Sequence, residues 1–164
     1  MAGAIQARIN MAIEARLRAD TLASSEIAGV PLAELLRAQG AILGQSSPLP
    51  LMWSNVPMSQ PRPYLVYRAG QRESSVEPLR CGRPGLGQIR YEVGCVVDDI
   101  KAGNTIAIID RITDLLAGYV VEVDGATVSF LYEADVLFPD LSGAESGVTH
   151  SGVVFLAQVR FQEE

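Results

Sequence analysis

Residues 49–68, with the sequence LPLMWSNVPMSQPRPYLVYR, are the stretch around which the rest of the chain is organised. They contain the only tryptophan, Trp53, and four of the nine prolines. The aromatic and β-branched residues at 64–67 predict a strand. Proline lacks an amide donor and disfavours the helical region for the residue before it. We therefore expect residues 53–63 to be extended but unpaired, as a stiff lead-in to a first strand.

The composition is that of one globular domain, 1–164. Apolar residues make up 48% of the chain and charged residues 20%, both close to globular averages. No apolar run approaches the ~20 residues that a membrane span needs, and the N-terminal residues lack the apolar block of a signal peptide. We expect a chain that is cytosolic when made and has no membrane partner.

The net charge of the chain argues against tight binding to nucleic acid. The net charge is −6, and Lys101 is the only lysine. Stable binding to phosphate backbones needs several cations on one face. Tight, general nucleic-acid binding is therefore not expected, although an acidic surface is compatible with a passage through which DNA slides without sticking.

Three segments have helical periodicity. Residues 2–18 carry an apolar residue at every fourth position, which predicts an amphipathic helix that covers a sheet. A short helix is expected at 31–39, because Pro31 and Gly40 match the usual helix punctuation. A third helix is expected at 105–117. The apolar stripes of the first and third helices are Ile5, Ile9, Ile13 and Leu17, and Ile108, Ile109, Ile112, Leu115 and Leu116.

Alternating apolar and polar residues predict the strands. The clearest is 89–97, which we expect to pair antiparallel with 64–68. Asp124-Gly125 is typical of a tight hairpin turn with positive backbone φ. The flanking strands are expected at 119–123 and 127–132, and a final strand at 152–161, with 137–140 and 142–146 as a polar connector.

Together these elements predict the fold class. We expect an α+β single domain with a mostly antiparallel twisted sheet of about four to six strands and two main amphipathic helices packed on one face. The residues at about 69–88 would form a long β-hairpin arm. Loops of that length without structure of their own are usually functional or ordered by a partner.

No motif that carries chemistry stands out. Cys81 and Cys95 lack CxxC spacing and His150 is the only histidine, so a zinc site is not expected. We expect both cysteines to be reduced, with Cys95 in the core and Cys81 in a loop; a disulfide is the alternative. Asp98-Asp99 fits a capping role at a strand end better than acid–base catalysis.

The glycine-rich run CGRPGLGQ at 81–88 superficially suggests a phosphate-binding loop. Such a loop follows a strand and opens a helix, whereas this run precedes a strand. No Gly-x-Ser-x-Gly nucleophile elbow is present in the sequence either. The chain is therefore not expected to be an enzyme or to need a cofactor.

The order of these elements resembles the tail terminator, or tail completion, family of long-tailed phages, of the lambda minor tail protein U type. The matching features are the N-terminal amphipathic helix, a Trp-x-Asn-Val-Pro segment leading into Pro-Tyr-Leu, a following strand and helix, and a final strand. The chain departs from the family in its short helix at 31–39 and its larger C-terminal hairpin. The residues that carry the resemblance are Trp53, Asn55, Val56, Pro57, Pro63, Tyr64 and Leu65.

The resemblance implies a subunit of a homo-oligomer, usually a hexameric ring, at the head-proximal end of the tail tube. Such a ring ends tube polymerisation and presents the surface for head–tail joining. The implied partners are the tail tube protein and the head-completion or neck proteins, with genomic DNA passing through the lumen. The implied location is the virion, with host cytoplasm during assembly, and no cofactor is implied.

Seven residues are the expected interface: Trp53, Arg68, Arg72, Arg80, Arg83, Leu86 and Arg90. Most belong to the arm, which we expect to touch a neighbouring subunit or the tube. Two roles are open for Trp53, an interface anchor or an ordinary core residue. Two are also open for the arginines at 80, 83 and 90, which would line the lumen or pair with acidic groups across an interface.

Two alternatives compete with the terminator role. The first is another phage neck or tail structural protein, such as a head-closure factor, a neck adaptor or a tube subunit. The second and more remote is a small cytosolic enzyme, for which the sequence lacks the catalytic parts.

Overall fold

The computed structural model describes residues 2–21, 27–40, 49–53, 62–69, 86–98, 105–138 and 148–161. The helices are α1 (Ala2–Arg18), α2 (Leu32–Ala38) and α3 (Thr105–Leu116). The strands are β1 (Leu51–Trp53), β2 (Tyr64–Ala69), β3 (Leu86–Asp98), β4 (Val120–Val123), β5 (Ala126–Phe138) and β6 (Val148–Phe161).

The described strands form one six-stranded sheet in the order β1-β2-β3-β6-β5-β4. The β1–β2 pair is parallel, and every other neighbouring pair is antiparallel. The long strands β3 and β6 lie at the centre and pair over 13 residues, from Leu86 opposite Arg160 to Asp98 opposite Val148. The expected α+β fold with a mostly antiparallel sheet is confirmed.

One face of the sheet carries the hydrophobic core. Alternate residues of β3, such as Ile89, Tyr91 and Val93, point to this face and are buried together with the apolar stripes of α1 and α3. The two stripes are those that the four-residue and 3.6-residue periodicities predict. The apolar stripes of α1 and α3 and one face of the sheet belong to the same core. The two main helices therefore pack on one side of the sheet, as expected.

Two tyrosines tie α1 to this face of the sheet. Tyr91 Oη donates a hydrogen bond to Asn10 Oδ1 at 2.8 Å, and Tyr67 Oη donates one to Glu14. Burial raises the pKa of both phenols, and the hydrogen bond to Glu14 raises that of Tyr67 further. A buried tyrosine is stable when its hydroxyl has such a partner. The two bonds fix how α1 sits across β2 and β3.

A buried ion pair joins the three helices. Arg111 of α3 donates from Nε and Nη2 to the carboxylate of Asp20, at 2.7 and 2.6 Å. Asp20 Oδ2 also accepts the backbone N–H of Leu32 at 2.7 Å, so it satisfies a donor in the first turn of α2. Arg111 further donates to the carbonyl oxygens of Ile27 and Ala28. The pair therefore holds the end of α1, the start of α2 and the middle of α3.

Two expectations from the sequence are corrected. Residues 51–53 are the paired strand β1, and Trp53 lies opposite Tyr67, so the lead-in is not wholly unpaired. A three-residue strand is too short to show an alternation. Residues 137 and 138 lie in β5, which extends six residues past the expected end at 132. Because β5 is paired with β6 up to Phe138, the strand extends beyond the residues that alternate clearly between apolar and polar.

Other boundaries differ by a few residues. The strand expected at 64–68 is Tyr64–Ala69, that expected at 89–97 is Leu86–Asp98, and that expected at 152–161 is Val148–Phe161. The turn at Asp124-Gly125 has φ of 47° and 78°, as the hairpin prediction requires. Among the described residues, no helix is long and apolar enough to cross a membrane.

Candidate assembly surfaces

Trp53 lies on the edge strand β1, where its side chain is 40% exposed. Its ring meets the buried ring of Tyr67 in a tilted arrangement with centroids 4.9 Å apart. Aromatic pairs at this distance and tilt attract each other beyond the area that they bury. Part of the Trp53 ring therefore packs on the subunit and part of it is exposed, and the role of interface anchor stays a prediction.

Arg68 and Arg90 lie on the sheet face opposite the helices, because each alternates with buried core residues along its strand. Arg68 of β2 forms an ion pair with Glu92 of β3. Arg90 reaches across β6 to Glu133 of β5, with Nε and Nη2 at 2.9 and 2.7 Å from its two carboxylate oxygens. Both arginines thus have intramolecular partners on other strands of the sheet.

The other predicted interface residues are placed only in part. Leu86 begins β3, and its backbone lies opposite Arg160. Arg72, Arg80 and Arg83 lie outside the described residues, as does the part of the expected arm at 70–85. The structure therefore brings Trp53, Arg68 and Arg90 onto one sheet but not into one cluster.

The centre of the opposite face is built around two glycines. Gly94 of β3 lies opposite Gly152 of β6, and the neighbouring pair on this face is Val96 with His150. A Cβ added to Gly94 would lie 2.6 Å from the Ser151 carbonyl oxygen and 2.9 Å from His150 Nε2. The absence of a side chain at Gly94 is what makes room for the imidazole. Burial, assisted by the charge of Arg68, lowers the pKa of His150 to about 4.

The outer edge of β5 is a surface that the sequence analysis did not find. The prediction ended this strand at 132, whereas the strand continues and residues 131–135 are all exposed. Leu131 and Tyr132 are 42% and 48% exposed. One sequence signal could have identified this region. The apolar residues 136–138 follow Glu133 and Asp135, and they indicate that the strand continues past these two acidic residues.

The chemistry available on the described surface is limited. Within the described residues, no group of three or more His, Cys, Asp or Glu side chains is placed to hold a metal ion. Burial raises the pKa of the Cys95 thiol to about 12, so this buried cysteine is not activated as a nucleophile. Cys81 lies outside the described residues.

Similarity to known proteins is found at the level of the fold. Comparison of the sequence with protein-family models and with curated proteins finds no match. The structure is similar to a protein chain from the virion of a native gene transfer agent particle, with a TM-score of 0.64 and 14% identity over 96% of this chain and 98% of that chain. A second solved structure matches with a TM-score of 0.54 and 14% identity over 97% of this chain and 98% of its own. These likenesses show a shared fold across nearly the whole length of each chain.

Proposed function

We propose that this chain is a structural protein of a phage-like virion. The observation that carries the proposal is the fold, which matches a chain of a gene transfer agent virion from end to end. The match covers 96% of this chain and 98% of that chain, so it concerns the fold of the whole sequence and not a single motif. The described surface includes exposed strand residues and cross-strand ion pairs, which are compatible with an assembly role.

Within such a virion, the proposed role is that of a tail terminator. The subunit forms a closed ring, of six copies in the family that the sequence resembles, at the head-proximal end of the tail tube. The ring stops tube polymerisation and meets the head-completion or neck proteins, while genomic DNA passes through its lumen. The amino-acid sequence of residues 53–65, from Trp-x-Asn-Val-Pro to Pro-Tyr-Leu, supports this role independently of the fold.

The assembly behaviour of the purified protein tests the proposal. Sedimentation velocity and negative-stain imaging over a range of concentrations should find rings with a uniform number of subunits that do not grow. A terminator interface closes on itself, whereas a tube subunit polymerises without limit. Open-ended tubes would contradict the terminator role and favour a tube subunit. A chain that stays monomeric at every concentration would contradict the ring.

A second experiment separates a terminator from a neck or head-closure protein. Purified rings are added to the tube protein of the same virion while it polymerises, and tube lengths are measured by electron microscopy. A terminator should shorten the tubes and be found at one end of each. Rings that leave the length distribution unchanged would favour a neck position.

A further inference from the structure

Within the described part of the chain, the outer edge of β5 is unpaired beyond residue 130. β4 covers β5 only from Ala126 to Ser129, and the chain just before β4 covers Phe130. No other described strand lies along residues 131–135, all of which are exposed. An exposed strand edge with apolar side chains is a template for pairing with another chain. Leu131 and Tyr132 supply the apolar side chains here.

The backbone groups at this edge point outward. Phe130 N–H donates to the Tyr119 carbonyl oxygen at 2.9 Å, and the Phe130 carbonyl oxygen accepts from Gly118 N–H at 2.8 Å. In an antiparallel strand, the side to which a residue directs its N–H and C=O alternates, so residues two apart direct them to the same side. Tyr132 therefore presents its N–H and C=O on the open side, just before the irregularity between Tyr132 and Ala134.

The opposite edge of the same sheet is β1. Of the described strands it pairs only with β2, and it carries the half-exposed Trp53. Each subunit thus has an apolar aromatic group at both ends of its sheet, with Trp53 at one edge and Tyr132 at the other. Aromatic residues are favoured anchors in protein interfaces.

The charges of the two edges differ. Residues 120–138, which form β4, its turn and β5, carry four acidic side chains and no basic one: Glu122, Asp124, Glu133 and Asp135. Residues 49–53 and 62–69, which form β1, β2 and their described flanks, carry Arg62 and Arg68 and no acidic one. Pairing two β5 edges would bring acidic side chains together, which destabilises a sheet. Pairing β5 with the β1 edge avoids this repulsion.

We propose that the ring is built by edge pairing, in which the β1 edge of one copy of this chain joins the open β5 edge of the next. The contact is heterologous, because it uses two different surfaces of the subunit, and a heterologous contact is the kind that closes a ring. The main-chain hydrogen bonds supply affinity, as in other cases of strand addition, while Trp53 and Tyr132 flank the junction. This inference rests on the proposed self-assembly and names the surface that carries it.

Amide hydrogen exchange of the unaltered protein tests the contact directly. Peptides that cover 131–135 are followed by mass spectrometry in the assembled form and after dilution to monomers. Exchange at the Tyr132 amide should slow by at least about tenfold on assembly, because an edge amide gains a partner. Peptides of the central strand β6, which is paired with β3 and β5 within the subunit, are the internal control and should not change.

Two variants and a matched control complete the experiment. Tyr132→Pro removes the edge donor, a change that an edge strand tolerates in the monomer. Leu131→Lys replaces an exposed apolar side chain of the β5 edge with a charge, which must lose its hydration when the edge is buried against a neighbour. Each should raise the subunit dissociation constant at least about tenfold, which is about 1.4 kcal/mol. Met11→Lys changes an exposed apolar residue of α1 and should leave the dissociation constant unchanged. The thermal midpoint of each variant is measured as well, to verify that the variant is folded.

The outcomes separate this inference from the proposed function. Closed rings with unprotected 131–135 amides and unaffected variants would overturn the edge pairing and leave the terminator role standing. Open tubes with protected amides would support the edge pairing and overturn the terminator role. A wild-type chain that is monomeric at every concentration would overturn both.

Discussion

Arg111 holds Asp20 through two hydrogen bonds of 2.6 and 2.7 Å in a site where the side chains are 4% and 1% exposed. The hydrogen bonds to Asp20 raise the pKa of Arg111 despite its burial, so the guanidinium stays charged. The pair also satisfies backbone groups at the start of α2 and in the segment before it. Removal of either side chain would therefore leave the other as a buried charge without its partner.

Arg111→Met should destabilise the fold by about 3–5 kcal/mol, because it leaves the Asp20 carboxylate buried without its partner. The free energy of unfolding is measured with urea and followed by circular dichroism. Arg8→Met is the matched control: Arg8 pairs with Asp124 at 3.5 Å with both side chains more than half exposed. Exposed pairs contribute at most about 1 kcal/mol. Equal effects of the two substitutions would contradict the structural role of Asp20.

Gly94→Ala should destabilise the protein by about 1–3 kcal/mol or more, because the added methyl group meets the Ser151 carbonyl oxygen at 2.6 Å. The contact is with backbone, so the β3–β6 pairing must shift. Combining Gly94→Ala with His150→Ala should not restore stability, since it removes only the contact at 2.9 Å. Full rescue by His150→Ala would show that the imidazole alone requires the glycine.

Gly118→Ala is a useful comparison for Gly94→Ala. Gly118 has φ of +75°, and a Cβ there meets no other atom within 4 Å. Its cost should be that of a left-handed backbone alone, about 1 kcal/mol. The same urea titration measures both variants, and Gly94→Ala should be the more destabilising.

His150 should make stability fall between pH 6.5 and 4. Its pKa is lowered from 6.5 to about 4 by burial, so the unfolded chain takes up a proton in this range while the folded chain does not. Stability is therefore intact above pH 6.5 and decreases as the pH falls to 4, by roughly 3 kcal/mol from this residue. Carboxylates titrate in the same range, so the measurement compares wild type with His150→Leu. The variant should lose less stability on acidification, and equal losses would contradict the prediction.

Cys95 should be inert toward thiol reagents in the folded protein. It is fully buried, and burial raises the pKa of its thiol to about 12, so almost no thiolate is present at neutral pH. A Cys81→Ser background leaves Cys95 as the only thiol. Iodoacetamide labelling followed by mass spectrometry should find no adduct under native conditions and one adduct in denaturant. Rapid native labelling would show that the core opens locally at β3.

Much of the fold follows from local patterns. The spacing of Ile5, Ile9, Ile13 and Leu17 and the apolar face of residues 105–117 each identify a helix, because one stripe must be buried. The alternation along 89–97 identifies a strand for the same reason. The strand β1 could not be predicted in this way, because a three-residue strand is too short to show a periodic pattern. The length of β5 could not be predicted either, because pairing with β6 and not periodicity sets its end.

The candidate surfaces were less predictable than the fold. Arg68 and Arg90 are recognisable as cations beside strands, but their partners Glu92 and Glu133 follow from strand order. Trp53 is an obvious anchor by type, yet its position on an edge strand depends on the parallel pairing of β1 with β2. The open edge at 131–135 has no sequence motif, since its exposure arises from the short reach of β4.

The sequence by itself determined the fold class, the two main helices and the hairpin turn at Asp124-Gly125. These features are local, and each is set by periodicity or by the conformational preference of a few adjacent residues. Only the tertiary structure decided the order of the strands, the fit of His150 against Gly94 and the pairing of Arg111 with Asp20, which are 91 positions apart. Such contacts depend on how distant segments pack around one core, and no local pattern encodes that packing.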